Sequence, residues 1–320
     1  MIEYLQERTD SILLENGFSE NGEYSGPDKK FMKEKMVSIE GKKIFESATQ
    51  FSDIYELDEL LKNPVGYELP EKTVNISIDD VNVKKQEPVR PERIEPKEIK
   101  RKYVHNTIVH IEKGPASYTL SGGGINFVLK IVLAFILENG LKENRFQFFT
   151  DGHTILNTAI LNFFSRFRNI GIILDWYHLE KKCREQLSMV FKNRQIRNQV
   201  LEELMPLLWY GLTDKAIKVL KEIEDGFIKN SAAMEKLIAY LERNKAYIPS
   251  YAIRKNLGLR NGSSIGEKMN DLIVSDRQKH NGMSWSHQGS VSLAALTCLK
   301  RNNEYKKWFQ TGEIEFKFAA

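Results

Sequence analysis

The chain has 320 residues, 41% hydrophobic and 28% charged, the balance of a globular protein with one large core or two modest ones. A formal net charge of +4 is mildly basic, compatible with a nucleic-acid partner but too small to demand one. Two cysteines, Cys183 and Cys298, with no CxxC pair, exclude a disulfide framework and argue against a zinc ribbon, so reduced, cytosolic residence fits.

Residues 1–70 read as a mainly helical, polar segment. MIEYLQERTDSILLENGF is a charged amphipathic helix without the apolar core of a signal peptide. FMKEKMVSIEGKKIFESATQF and IYELDELLKNP continue the helical periodicity, and Pro64 and Gly66 end the second. The period then changes. TVNISIDDVNVKKQ alternates apolar and polar residues with β-branched enrichment, which predicts a strand. EPVRPERIEPKEIKRK, rich in proline and charge, reads as a solvated excursion whose basic end, residues 97–102, can meet a phosphate backbone. NTIVHIEKG and ASYTLSG predict two more strands joined at Gly114-Pro115. INFVLKIVLAFILENG predicts an apolar helix ended by Gly140; Lys130 interrupts its apolar run, which is too short to span a bilayer.

Strand RFQFFTDG, helix TILNTAILNFFSRF and strand NIGIILDW follow, completing the order β-β-β-α-β-α-β. Three meandering strands followed by βαβ units predict an α/β fold, a mixed sheet with helices on its faces, in the order of an RNase H-like fold. From Tyr177 to about Tyr247 the pattern is helical throughout, too much helix for a connection, and reads as an all-α insertion. The organisation is therefore a helical segment at 1–70, a first part of the core at 71–178, the insertion at 179–250 and core completion at 251–320. The last part holds the helix SSIGEKMNDLIV and the helical stretch SVSLAALTCLKRNNEYKKWF.

Three acids are spread over these elements. Asp79 ends the first strand, Asp151 ends FQFFT, and Glu267 lies in SSIGEKMNDLIV; they are 72 (151 − 79) and 116 (267 − 151) residues apart. Carboxylates at two strand ends and on one helix can hold two hard divalent cations, an arrangement suited to cutting and joining phosphodiesters. Each also has a local explanation. Adjacent acids such as Asp79 and Asp80 often make turns or caps. Asp151 can cap the helix that opens at Thr154, and Glu267 suits the dipole of a helix capped by Ser263 or Ser264. Strand alternation puts Asp79 with Asn75 and Ser77, and Asp80 with Val74, Ile76 and Ile78; a ligand can sit on either face.

Asp175 and His178, in LDWYH, share a face if a helix starts there, and the imidazole can position a water or a scissile phosphate; Asp175 can equally be an N-cap. Lys181 and Lys182 follow on the same helix. Downstream, Arg277, Lys279, His280 and Trp285 form a basic and aromatic patch fit to grip a backbone and stack on a base, or else a polar loop whose Trp285 and Met283 plug a core edge. SGGG at 121–124 lacks the Lys-Ser/Thr of a phosphate loop.

Taken together, IDDVNVKKQ, FFTDG, ILDWYHLEKK and SSIGEKMNDLIVSDRQKHNGMSWSHQGS, in that order, resemble the catalytic core of bacterial insertion-sequence transposases of the DDE type, nearest the Mutator-like group, over residues 70–310. The resemblance implies a metal-binding triad of Asp79, Asp151 and Glu267, with Asp79 chosen because the family's first aspartate directly follows the apolar run. It makes Asp175 with His178 the accompanying Asp-x-x-His motif. It also implies two Mg²⁺ or Mn²⁺ ions, double-stranded DNA (element ends and target) as partner, and a homo-oligomer on DNA. It further implies a bacterial, nucleoid-associated location with no membrane role. Lys181, Lys182, Arg277, Lys279 and Trp285 are the expected DNA contacts. One departure stands out: residues 1–70 carry no zinc site and no clear helix-turn-helix. Either the copy is truncated or it binds its ends through the core and insertion. A nuclease that cuts without joining, and an inactive DNA-binding remnant, are the alternatives.

Overall fold

Alternation in the first three strand segments and near-continuous apolar character in the next two produce two kinds of strand pairing in one sheet. The computed structural model describes residues 1–25, 38–62, 64–86, 103–279 and 282–318, apart from the side chains of Ser264, Ile265 and Glu267. The FMKEKM stretch, the excursion at 87–102 with its basic end, and His280 lie outside those residues.

Three helices come first: α1 (Ile2–Glu15), α2 (Gly41–Thr49) and α3 (Leu57–Leu61). Strands β1 (Thr73–Lys84), β2 (Tyr103–Lys113) and β3 (Ala116–Gly122) form an antiparallel meander. Then α4 (Ile125–Glu138), β4 (Arg145–Thr150), α5 (Thr154–Phe163) and β5 (Ile170–Leu174) add two parallel strands. The sheet order is β3-β2-β1-β4-β5, so the chain is α/β with a five-stranded mixed sheet flanked by helices. β4 is buried along its whole length and β5 is buried after its first residue, as parallel strands covered on both faces must be.

The sheet has two unlike faces. On one, Val74, Ile76, Ile78, Phe146, Phe148 and Ile172 join α4, α5 and α1 in the main core. α4 is apolar nearly all round because the sheet covers one side and α1 covers the other; its Lys130 reaches Asp10 of α1 at 3.2 Å. On the other face, Phe149 and Ile173 pack against a helical lobe. That lobe is α6 (Trp176–Val190), α7 (Arg194–Trp209), α8 (Thr213–Lys221) and α9 (Ser231–Asn244). α10 (Tyr251–Asn256) leads back to the sheet, where Arg254 is wholly buried in a two-pronged pair with Glu68 at 2.5 and 2.9 Å, just before β1.

α11 (Ser264–Asn270) then crosses the second face against β1 and β2, and runs through a π-turn at Asp271–Ser275 into α12 (Asp276–Gln278). The C-terminal stretch that reads as one helical segment is two helices, α13 (His287–Arg301) and α14 (Tyr305–Thr311). Asn302 caps α13, and Asn303, with φ of 61°, turns the chain through the left-handed region that asparagine tolerates. Asn302 also bonds both backbone groups of Thr119 on edge strand β3, at 2.9 Å each, so the break is tied to the sheet.

Candidate functional site

Register brings the aspartates together. Ser77 of β1 pairs with Phe149 of β4, an offset of 72, and continuing it two residues sets Asp79 level with Asp151. Thr150 pairs with Leu174, an offset of 24, and one step further Asp151 is level with Asp175, whose N–H donates to the Thr150 carbonyl at 2.9 Å. Three neighbouring parallel strands thus carry an aspartate at the same height, about 4.8 Å apart from strand to strand. β4 and β5 end there, whereas β1 runs on past Asp79 to Lys84, paired with β2, so Asp79 does not end its strand as the sequence suggested. Ligands of open α/β sheets bind outside the carboxyl ends of the strands.

β1 changes its buried face at the aspartate pair. Val74, Ile76 and Ile78 belong to the main core, whereas Val81 and Val83 pack with Val104, Ile108, Ile273, Val274, Ala294 and Cys298 on the opposite side. Asp79 and Asp80 sit at that crossover. Asp79 faces α11 and accepts a hydrogen bond from the Asn270 side-chain amide. Asp80 is exposed and accepts from the Thr107 hydroxyl of β2 at 2.5 Å. α11 can lie this close because its residue over β1 is Gly266: a Cβ there would meet the Ser77 Cβ at 2.8 Å. Glu267 follows Gly266 in this helix, one turn before Asn270; its backbone is placed, its side chain is not described.

Burial pushes the Asp79 carboxyl above the ordinary carboxylate range. His178 pulls it down, as does the Asp80 N–H, and the charges of Asp151 and Asp80 push it up again. Asp79, Asp151 and His178 therefore share one electrostatic neighbourhood. Asp151 is exposed, and its Oδ1 accepts the His153 N–H at 2.9 Å, an Asx turn that sets the carboxylate at the head of α5. Gly152 makes the turn with φ of 82°, and a Cβ there would strike Leu174 and Asn244 at 2.9 and 3.0 Å.

Asp175 has a different job. It is buried, caps α6 by accepting the His178 N–H at 3.0 Å, and lies 3.4 Å from the His178 Nδ1. It also accepts the Ser263 hydroxyl at 2.7 Å and the Ser263 N–H. Burial, the largest single influence, raises its pKa; the hydrogen bonds from His178 and Ser263 together outweigh it and hold the carboxyl below its usual range. The N-cap reading and the pairing with His178 thus coexist, and Ser263 spends its hydroxyl on Asp175. The carboxylate ties β5 and α6 to the start of α11.

The remaining candidates divide into two groups. Lys181 and Lys182 lie on α6 one turn after His178, lining a groove that opens at Asp151. Arg277 and Lys279 are exposed at the far end of the α11–α12 run. Trp285 is half-buried and bridges to β1, its N–H bonded to the Lys84 carbonyl and its carbonyl to the Gln86 N–H. Its ring packs beside the Val81–Val83 core with Nε1 donated to the Gln278 carbonyl at 3.1 Å, so the indole is part of the packing there. Met283 is exposed. Asn270 and Tyr240 take part without being singled out from sequence, and Ser263, expected as a helix cap, instead serves Asp175. Asn270 stands three residues after Glu267, a spacing that marks it as a same-face neighbour; Tyr240, whose hydroxyl donates to the Asp151 carbonyl at 3.2 Å, has no local signal.

Among the described residues no three His, Cys, Asp or Glu side chains gather as a metal site, the Glu267 side chain lying outside that set. No described helix is long and apolar enough to cross a membrane. No protein-family model and no curated protein matches the chain.

Proposed function

We propose that this chain is a metal-dependent DNA strand transferase of the DDE transposase type, built on an RNase H-like core. The observation that carries the reading is the register that sets Asp79 level with Asp151 on neighbouring parallel strands, beneath the helix that carries Glu267. The donor chemistry fits hard divalent cations: the ligands are carboxylate oxygens, and the half-buried Asp79 lies within the repulsive field of Asp151. Asp79, Asp151 and Glu267 would hold the ions. When bound, two Mg²⁺ or Mn²⁺ ions supply activation of a water or a DNA 3′-hydroxyl and stabilisation of the leaving oxygen.

The chain's own groups do the positioning. Asn270 and the Asp80 N–H hold one oxygen each of the Asp79 carboxylate, fixing its plane. The Asx turn at His153 fixes Asp151. His178, anchored by Asp175, presents a ring beside Asp79, where it orients a water or a phosphate oxygen. Double-stranded DNA is the substrate, and two copies of the chain on paired ends form the working assembly.

The test uses purified protein and a supercoiled plasmid carrying its gene with the genomic flanks. Mg²⁺-dependent cleavage is expected, with none in EDTA and none for Asp151→Asn, which still folds and binds DNA. Full cleavage by Asp151→Asn overturns the assignment. A pre-cut, labelled end should then be joined to a second plasmid; cutting without joining turns the reading to a nuclease, and binding without cutting to an inactive remnant.

A further inference from the structure

A groove runs from Asp151 between α6 and α9, and its walls carry Lys181, Lys182, Lys236 and Arg243, four cations against the carboxylates of Asp151 and Glu185. Lys236, Tyr240 and Arg243 are spaced i, i+4, i+7 and so form one stripe on α9. Tyr240 organises the groove. Its ring is buried, its hydroxyl donates to the Asp151 carbonyl, and Lys182 Nζ and Arg243 Cζ stand 5.9 and 5.8 Å from its centroid. Among the described residues, none of these four cations is bonded to a carboxylate.

Elsewhere in the same lobe Lys192 and Lys229 have no ion pair among the described residues, but four other lysines do. Lys215 pairs with Glu59, Lys218 with Glu222, Lys221 with Glu242 and Lys245 with Asp214. Cations left unpaired in a groove, beside a site rich in carboxylates, call for an anion from outside.

We infer that this groove is a phosphate track: Lys236 and Arg243 of α9, with Lys181 and Lys182 of α6, grip the backbone of the DNA strand that leads to the reacting phosphate at Asp151. The inference rests on the reading of the site as one for nucleic acid, and it adds Lys236 and Arg243 as contacts on the helical lobe. From Lys236 to Arg243 the helix rises about 10 Å, the reach of about three successive phosphates on one strand. The contacts are to backbone and carry no base preference. Tyr240 makes the track continuous with the site, because the ring that seats two of the cations also holds the Asp151 backbone.

The test is the salt dependence of binding to a labelled duplex from the gene's flanks, in EDTA so that no cleavage intervenes. Lys236→Ala/Arg243→Ala is compared with Lys218→Ala/Lys221→Ala, which removes the same charge from ion-paired positions, and circular dichroism checks both folds. Loss of two phosphate contacts should flatten the log–log slope by about 1.8, at about 0.9 per contact, while the second pair leaves it at the wild-type value. A wild-type slope for Lys236→Ala/Arg243→Ala overturns the track, as does an equal loss in the second pair. If the slope falls as expected but the wild-type protein never cleaves, the track stands and the strand-transferase reading falls. If the wild-type protein does not bind the duplex, both fall.

Discussion

Asp79 inside β1 and Asp175 just after β5 look alike in sequence, each following an apolar strand run, yet the two carboxylates are shifted in opposite directions. Asp175 is completely enclosed and still held below its usual range, because Ser263 and His178 meet it with donors. Asp79 is less enclosed and yet pushed up, because burial and the charges of Asp151 and Asp80 outweigh what His178 and the Asp80 N–H offer. Burial alone therefore does not decide the state of a carboxylate; the count of donors against like charges does. A satisfied, ionised aspartate is a structural tie. An aspartate crowded by like charges is where the proposed metal-dependent reading would put a cation.

This contrast can be broken most decisively at Asp79. Asp79→Asn should abolish Mg²⁺-dependent cleavage while raising metal-free stability by up to about 1 kcal/mol, the scale of one relieved charge repulsion. In thermal melts Mg²⁺ should stabilise the wild-type protein, by mass action on the folded state, and leave Asp79→Asn unmoved. A variant that loses stability without metal would remove the distinction between the two aspartates.

Asp175→Ala should behave oppositely, losing about 2–4 kcal/mol in urea denaturation, since it deletes a helix cap and leaves buried donors unpaired. The pH dependence has a definite sign. Asp175 has a folded pKa below its unfolded value of about 3.9, so its contribution is complete above that value and is lost as pH falls through the lower folded pKa. Asp175→Asn should therefore flatten the acid limb of stability below about pH 4. An unchanged limb would show that Asp175 is not the tie described.

Smaller effects sharpen the comparison. Asn270→Ala removes the side chain that fixes the Asp79 plane, and metal affinity measured by titration calorimetry should fall by about tenfold, the lower end for groups that orient ligands. Tyr240→Phe loses one hydrogen bond to the Asp151 carbonyl and should cost about 0.5–1.5 kcal/mol in a denaturation series.

Much of the architecture was legible because it rests on local period. The two-residue alternation of TVNISID marks a strand, and the unbroken FQFF and IGIIL mark strands covered on both faces. That β2 is also buried on both faces, polar His110 and Asn106 included, was not legible. The step from ISI to VNV across Asp79-Asp80, where the apolar phase skips one residue, was also present in the sequence. It became meaningful once the two halves of β1 were found in different cores. The C-terminal helix break was masked by continuous periodicity in LTCLKRNNEYKKWF; it depends on Asn302 meeting Thr119, 183 residues away.

By itself the sequence determined the kinds of element, their order and the mixed pairing of the sheet, because these follow from side-chain period and turn chemistry within a dozen residues. The tertiary structure alone decided which of Asp79 and Asp80 faces α11, that Asp151 and Asp175 stand level with Asp79, and that hydrogen bonds outweigh burial at Asp175 but not at Asp79. It also decided that Tyr240, 89 residues beyond Asp151, closes the groove beside it. Register, donor count and the meeting of distant helices are properties of packing, and no local pattern encodes them.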